Sequence, residues 1–119
     1  MIRALCASLA IACTVACGSS VPEKVSVNQP PIPVLDVATT AKVGDAVHVD
    51  ASKSNDTDGA VHDAFVLFGD GSSPAIISDS PTFSADHTYT TAGLYLIELY
   101  VDDDKGASSR ARVRIQVTP

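Results

Sequence analysis

The chain of 119 residues contains no tryptophan and only three tyrosines. Sugar-binding surfaces need exposed aromatic rings, so this scarcity counts against a carbohydrate platform. Positive charge is also short: eight Lys and Arg face fourteen Asp and Glu, for a net charge of −6 at pH 7. A chain this acidic is not built to follow a phosphate backbone, and no nucleic-acid partner is expected. The three cysteines, Cys6, Cys13 and Cys17, all sit near the N-terminus, and cleavage before Cys17 leaves a single thiol. A disulfide framework is thereby excluded. The longest uncharged apolar run, Ala4 to Ala16, falls short of the roughly 20 residues that a membrane-spanning helix requires. There is no nucleophile elbow, phosphate loop or zinc motif, and His48, His62 and His87 lack metal-ligand spacing. Catalysis is not expected.

What is present begins with a targeting segment. Arg3 supplies a short positive region, Ala4 to Ala16 an apolar stretch, and the stretch ends in small residues as a cleaved signal does. Thr14-Val15-Ala16-Cys17, followed by Gly18-Ser19-Ser20, resembles the lipobox of bacterial lipoproteins, in which the cysteine becomes the lipidated N-terminus; Thr14 departs from it, since Leu is usual there. Cys13, after Ala10-Ile11-Ala12, is a second candidate, and an ordinary secretory signal with an incidental cysteine is the competing reading. On the lipoprotein reading residues 1–16 are the signal peptide, Cys17 carries the lipid, and two or three acyl chains hold the protein to the membrane. Gly18 stands where some bacteria place the Asp that retains lipoproteins at the inner membrane, which points to the outer membrane or cell surface. Residues 17–33, with Pro22, Pro30, Pro31 and Pro33, form an extended linker or stalk, because proline blocks helix and sheet bonding alike.

From Val34 onward apolar residues recur with period two, and each run stops at Gly, Pro, Asn or Asp. Strands are predicted near Val34–Thr39, Ala46–Ala51, Ala64–Phe68, Ala75–Ser78, Thr82–Tyr89, Leu94–Asp102 and Ala107–Val117. Seven short strands suit an all-β immunoglobulin-like antiparallel sandwich over residues 34–119. Tyr95, Ile97, Leu99 and Val101 share one face, as do Ala111, Val113, Ile115 and Val117, and both sets are core candidates.

Four ordered motifs carry a family resemblance. They are Ala51 to Gly59, Phe68-Gly69-Asp70-Gly71, His87-Thr88-Tyr89 through Ala92-Gly93-Leu94-Tyr95, and Val101-Asp102-Asp103-Asp104-Lys105-Gly106. In order and spacing they resemble the PKD domain over about residues 34–117. The resemblance implies a seven-strand sandwich acting as a binding or spacer module, not an enzyme, of the kind found in bacterial surface proteins and beside the catalytic domains of secreted hydrolases. The family has Trp-Asp before Phe-Gly-Asp-Gly, whereas this chain has Val66-Leu67. An unfilled tryptophan site would cost roughly 3–5 kcal/mol, so Phe83 or Phe65 is expected to repack there and leave no large cavity.

Three constellations follow. Phe68, Gly69, Asp70, Gly71, Tyr89 and Gly93 are expected to form a structural corner, with the Asp70 carboxylate accepting backbone N–H groups and Tyr89 making a tyrosine-corner contact. A catalytic Asp70 would require a placed partner. Asp56, Asp58 and Asp103, with Asp63 and Asp104, gather at the end of the sandwich shared by two loops. Oxygen-rich loops suit calcium, and the resemblance implies the same, since some PKD domains bind calcium with this loop and the preceding linker; solvated carboxylates that cap turns are the alternative. Finally, alternation turns Phe65, Leu67, Leu94, Leu96 and Tyr100 away from the core beside Arg110, Arg112 and Arg114. An apolar patch rimmed by arginine is a candidate protein-binding face. The alternatives are that arginine stems cover it, that residues 72–81 fold over it, or that a bulge shifts the register. The expected role is therefore non-enzymatic recognition of an envelope or extracellular protein, with a structural spacer or polysaccharide binding as rivals.

Overall fold

The computed structural model describes residues 26–119. Cys17, Cys13 and the signal segment lie outside the described residues, as does most of the expected linker. The described residues form β1 (Asp36–Val37), β2 (Thr40–Lys42), β3 (Ala46–Asp50), β4 (Val61–Leu67), β5 (Ala75–Ile76), β6 (Ser84–Thr88), β7 (Gly93–Asp103) and β8 (Ser108–Thr118). They make an all-β sandwich: one sheet has the order β1-β3-β6, the other β2-β8-β7-β4-β5. The long β7 and β8 pair antiparallel from Gly93↔Val117 to Asp102↔Ser108, the arrangement their period-two patterns dictate.

The inward residues meet between the sheets. Val47 and Val49 of β3, Ala64 and Val66 of β4, Ile97, Leu99 and Val101 of β7, and Ile115 and Val117 of β8 are buried, joined by Ala51, Phe68, Ile77 and Tyr89. Each fully buried aliphatic side chain contributes roughly 1.5–3 kcal/mol. Ala111 and Val113, on the same inward face of β8, stay half-buried.

The structure corrects several strand boundaries. The strand expected over Val34–Thr39 is only β1, which pairs antiparallel with β3, and a further strand that was not expected, β2, follows it and runs parallel to β8 in the other sheet. Val37 of β1 and Ala41 of β2 both pack against the core, so the change of sheet between them lets each strand bury an apolar residue in its own layer. β4 starts at Val61 rather than Ala64, with an irregularity between Val61 and Asp63 that fits the added residues to β7. β6 starts at Ser84 because Phe83 has φ of 55°, a left-handed conformation that a bulky residue rarely adopts. Two bonds hold it there: Phe83 N–H donates to Ser80 C=O at 3.0 Å and Phe83 C=O accepts from Ala51 N–H at 3.1 Å.

Where the family carries tryptophan, Val66 is fully buried, and no cavity opens among the described residues. Phe83 packs against the core. Phe65 does not: its ring stacks on Tyr100 outside the sandwich, centroids 5.0 Å apart.

Residues 28–33, assigned by composition to the linker, lie against the sandwich. Ile32 exchanges two backbone bonds with Asn55 at 2.6 and 3.0 Å, Val34 N–H donates to Ser54 Oγ at 2.9 Å, and the Asn28 amide reaches Asp103.

Candidate functional site

At the corner that closes β4, Asp70 is held between Gly69 and Gly71 and gathers three donors. Its Oδ1 accepts from Ser72 N–H at 3.2 Å and from the Ser72 hydroxyl at 2.6 Å, and its Oδ2 lies 2.7 Å from His87 Nε2. The His87 ring stacks on Phe68 at 4.0 Å and meets Tyr89 edge-on at 4.8 Å. Tyr89 stacks on Tyr95 at 4.4 Å and its hydroxyl donates to Phe68 C=O at 2.7 Å, locking β6 to the end of β4. Gly93 opens β7 beside the Tyr95 ring. Ser72 bonds the carboxylate rather than the imidazole, so the order of a nucleophilic triad is absent. The arrangement stiffens a corner.

Partial burial pushes the Asp70 carboxyl up, but the bonds from Ser72 and His87 outweigh it and hold the group below the ordinary carboxylate range. The stabilisation is complete above the unfolded value of about 3.9 and is lost as pH falls through the lower folded value. Asp70→Asn is therefore expected to cost about 1–3 kcal/mol at neutral pH, with the gap to the unmutated chain closing in acid. Urea unfolding as a function of pH measures both, and an unchanged unfolding midpoint at neutral pH would remove the structural role.

Asp56, Asp58 and Asp103 lie at the other end, within one another's field. Asp103, a buried carboxylate, accepts from Asn28 Nδ2 at 2.7 Å, Lys105 N–H at 2.9 Å and Ala107 N–H at 2.8 Å. Burial raises it, yet these donors prevail and hold it low. Asp58 accepts the Gln29 N–H at 2.9 Å, which with Lys105 holds it low. Asp56 goes the other way: burial first, then Asp58, push its carboxyl up. Asp56 Oδ2 and Asn28 Oδ1 are buried with no hydrogen-bond donor. Two orphaned acceptors, one of them on Asp56 within the field of Asp58 and Asp103, call for a proton or a hard cation. Among the described residues no group of three or more His, Cys, Asp or Glu side chains is placed as a ready metal cage. The fit therefore depends on the Asn28 amide oxygen, a donor that the composition of the carboxylate loops does not reveal.

The third place is the outer face of the five-stranded sheet. Cross-strand rows set Phe65 beside Tyr100 and Arg110, Leu67 beside Glu98 and Arg112, and Leu96 beside Arg114. Ile76 joins the first row opposite Phe65. Ile76, Leu94 and Leu96 are 56%, 61% and 37% exposed; Ile76 stands at one end of this face and Leu94 and Leu96 towards the other, with Phe65 and Leu67 in the rows between them. Residues 72–81 do not cover the patch: β5 extends the sheet edge and Ile77 turns into the core. Cover by arginine is local, because Arg110 lies over Tyr100 at 5.7 Å and donates to its hydroxyl at 3.2 Å, while Arg112 Nε meets Glu98 at 3.2 Å. The irregularity in β4 precedes Phe65 and leaves the rows in register.

The PKD domain family pattern matches residues 28–118, so it takes in the docked segment from Asn28. The fold is similar to the PKD1 domain of Vibrio anguillarum Epp, with TM-score 0.63, 29% identity, and cover of 77% of this chain and 98% of that one. It is also similar to the PKD1 domain of the Vibrio cholerae metalloprotease PrtV, with TM-score 0.63, 26% identity, and cover of 76% and 100%. A structure described as carbohydrate-binding modules of the β-sandwich superfamily matches with TM-score 0.70 and 31% identity, over 78% of this chain but only 36% of that one. The chain thus spans about a third of that protein's length. No curated protein matches.

Proposed function

The chain belongs to the PKD domain family, a family of non-catalytic modules, and on that premise we propose that it is a cell-envelope lipoprotein that recognises another protein through the outer face of its five-stranded sheet. The observation that carries the reading is the apolar surface that runs from Ile76 through Phe65 and Leu67 to Leu96 and Leu94, exposed at its two ends. A passive spacer needs no such patch, and solvent exposure of clustered aliphatic groups is a standing cost that a partner removes. Lipid on Cys17 would hold the module at the outer membrane or cell surface, and the length of chain from Cys17 to Asn28 would set its reach.

Carrying Asp at both Leu67 and Leu96 is expected to abolish capture of an envelope or extracellular protein while leaving the far-ultraviolet circular dichroism unchanged. Capture that survives the double substitution would sink the reading. Polysaccharide recognition draws support from the likeness to carbohydrate-binding modules. Against it, the Tyr100 ring is occupied by Phe65 on one side and Arg110 on another, and there is no tryptophan to serve instead.

The orphaned oxygens of Asn28 and Asp56 favour a second property, calcium held with Asp56, Asp58 and Asp103 at the loop end. The hard oxygen donors suit that ion, which would rivet residues 28–32 to the sandwich. Calcium at tenfold its dissociation constant is expected to stabilise the chain by about 1.4 kcal/mol, and Asp58→Ala to abolish the effect. Absence of binding heat at millimolar calcium would exclude it.

A further inference from the structure

We infer that the free edge of β8 accepts an extended acidic peptide segment as an added strand. The edge arises from the change of sheet between β1 and β2. Because β2 covers only Gln116–Thr118, residues from Ser108 to Ile115 have β7 on one side and no strand neighbour on the other among the described residues.

The direction of the backbone groups follows from two bonds. Ala107 C=O accepts from Asp103 N–H on the β7 side at 2.9 Å, whereas Gln116 N–H donates to Thr39 C=O on the β2 side at 2.9 Å. Alternation along the strand then turns the N–H and C=O of Arg110, Arg112 and Arg114 towards the open edge. A strand laid there would find these donors and acceptors waiting.

β2 shows what such a strand requires. Ala41, opposite Val117, packs against the core, while Thr40 and Lys42 on either side are exposed. An incoming segment would likewise turn small aliphatic side chains inward, covering Ala111 and Val113 where they are half-buried. Its other side chains would lie beside Arg110, Arg112 and Arg114. Arg110 and Arg112 share Glu98 at 3.7 and 3.2 Å, and Arg114 has no ion pair among the described residues, so the row keeps net positive charge. Charge complementarity selects acidic residues at alternate positions of the partner. The same row disfavours pairing of two β8 edges, which would bring arginines together. The apolar patch of the proposed function lies on the sheet face and this site on its edge, so each can fail without the other.

The test uses the full chain with a synthetic end-blocked peptide that alternates glutamate and valine over about seven residues. Bound peptide is expected to slow hydrogen exchange of the Arg110, Arg112 and Arg114 amides about tenfold or more. Arg114→Glu is expected to weaken binding several-fold and to shift the preference towards a lysine–valine peptide. Unchanged exchange at these three amides overturns the proposal. So does equal binding of the glutamate and lysine peptides, or binding of an acidic polysaccharide that leaves the edge amides unprotected.

Discussion

Gly69→Ala is expected to lower stability by more than about 3 kcal/mol and the melting temperature by more than about 12 °C. Two costs coincide at this position. The backbone has φ of 81°, where a β-carbon is strained, and a β-carbon built there would lie 2.5 Å from the Leu96 carbonyl oxygen and 3.0 Å from its nitrogen. Backbone in the middle of β7 cannot move aside without breaking its bonds to β8. Gly71 is the internal comparison, since its φ of 85° is similar but nothing lies within 4 Å of an added β-carbon. Gly71→Ala should therefore cost only the conformational part, about 1 kcal/mol. Thermal unfolding of the two variants side by side decides the matter, and equal losses would mean that the close approach to Leu96 contributes nothing.

Tyr89→Ala is the second large loss, about 3–5 kcal/mol. Tyr89 is 1% exposed and holds together His87, Tyr95 and the Phe68 carbonyl. Tyr89→Phe separates the ring from the hydroxyl: it should cost about 1–2 kcal/mol, because Phe68 C=O then lacks its donor in a buried place. Burial above all, then the negative charge of Asp70 and the neighbouring Tyr95, push the Tyr89 phenol well above its ordinary range. The hydroxyl therefore remains a donor at any pH the folded chain tolerates. Denaturant unfolding of both variants measures the split, and a Phe variant as stable as the parent would deny the bond its role.

Much of the sandwich was legible because β7 and β8 are long and each buries one face against the other sheet. Period two then shows in Tyr95, Ile97, Leu99 and Val101 without ambiguity. Short elements obey tertiary demands that leave no local mark. Nothing in Val34 to Thr39 announces that the chain changes sheets, since the step depends on β8 offering an edge some eighty residues later. The outward place of Ile76 depends on its pairing with Phe65, and its own two-residue strand is too short to display a period.

The sites follow the same rule. The Gly-Asp-Gly turn marked Asp70 as part of a corner, but its bond to His87 spans two strands and was hidden. The proline-rich stretch conceals Asn28 and Gln29 because composition reports average stiffness, whereas the docking of these two residues rests on one side-chain amide and one backbone N–H.

The parallel pairing of β2 with β8 has a mechanical consequence. The chain enters beside Asp103 at one end of the sandwich, and β8 finishes at the other. A load applied between the N-terminal segment and the C-terminal end of β8 pulls these neighbouring strands past each other along their length. The bonds from Gln116 N–H to Thr39 C=O and from Val43 N–H to Thr118 C=O are then sheared together instead of being opened one at a time. Loading both bonds at once resists more than peeling β2 from β8 one bond at a time would.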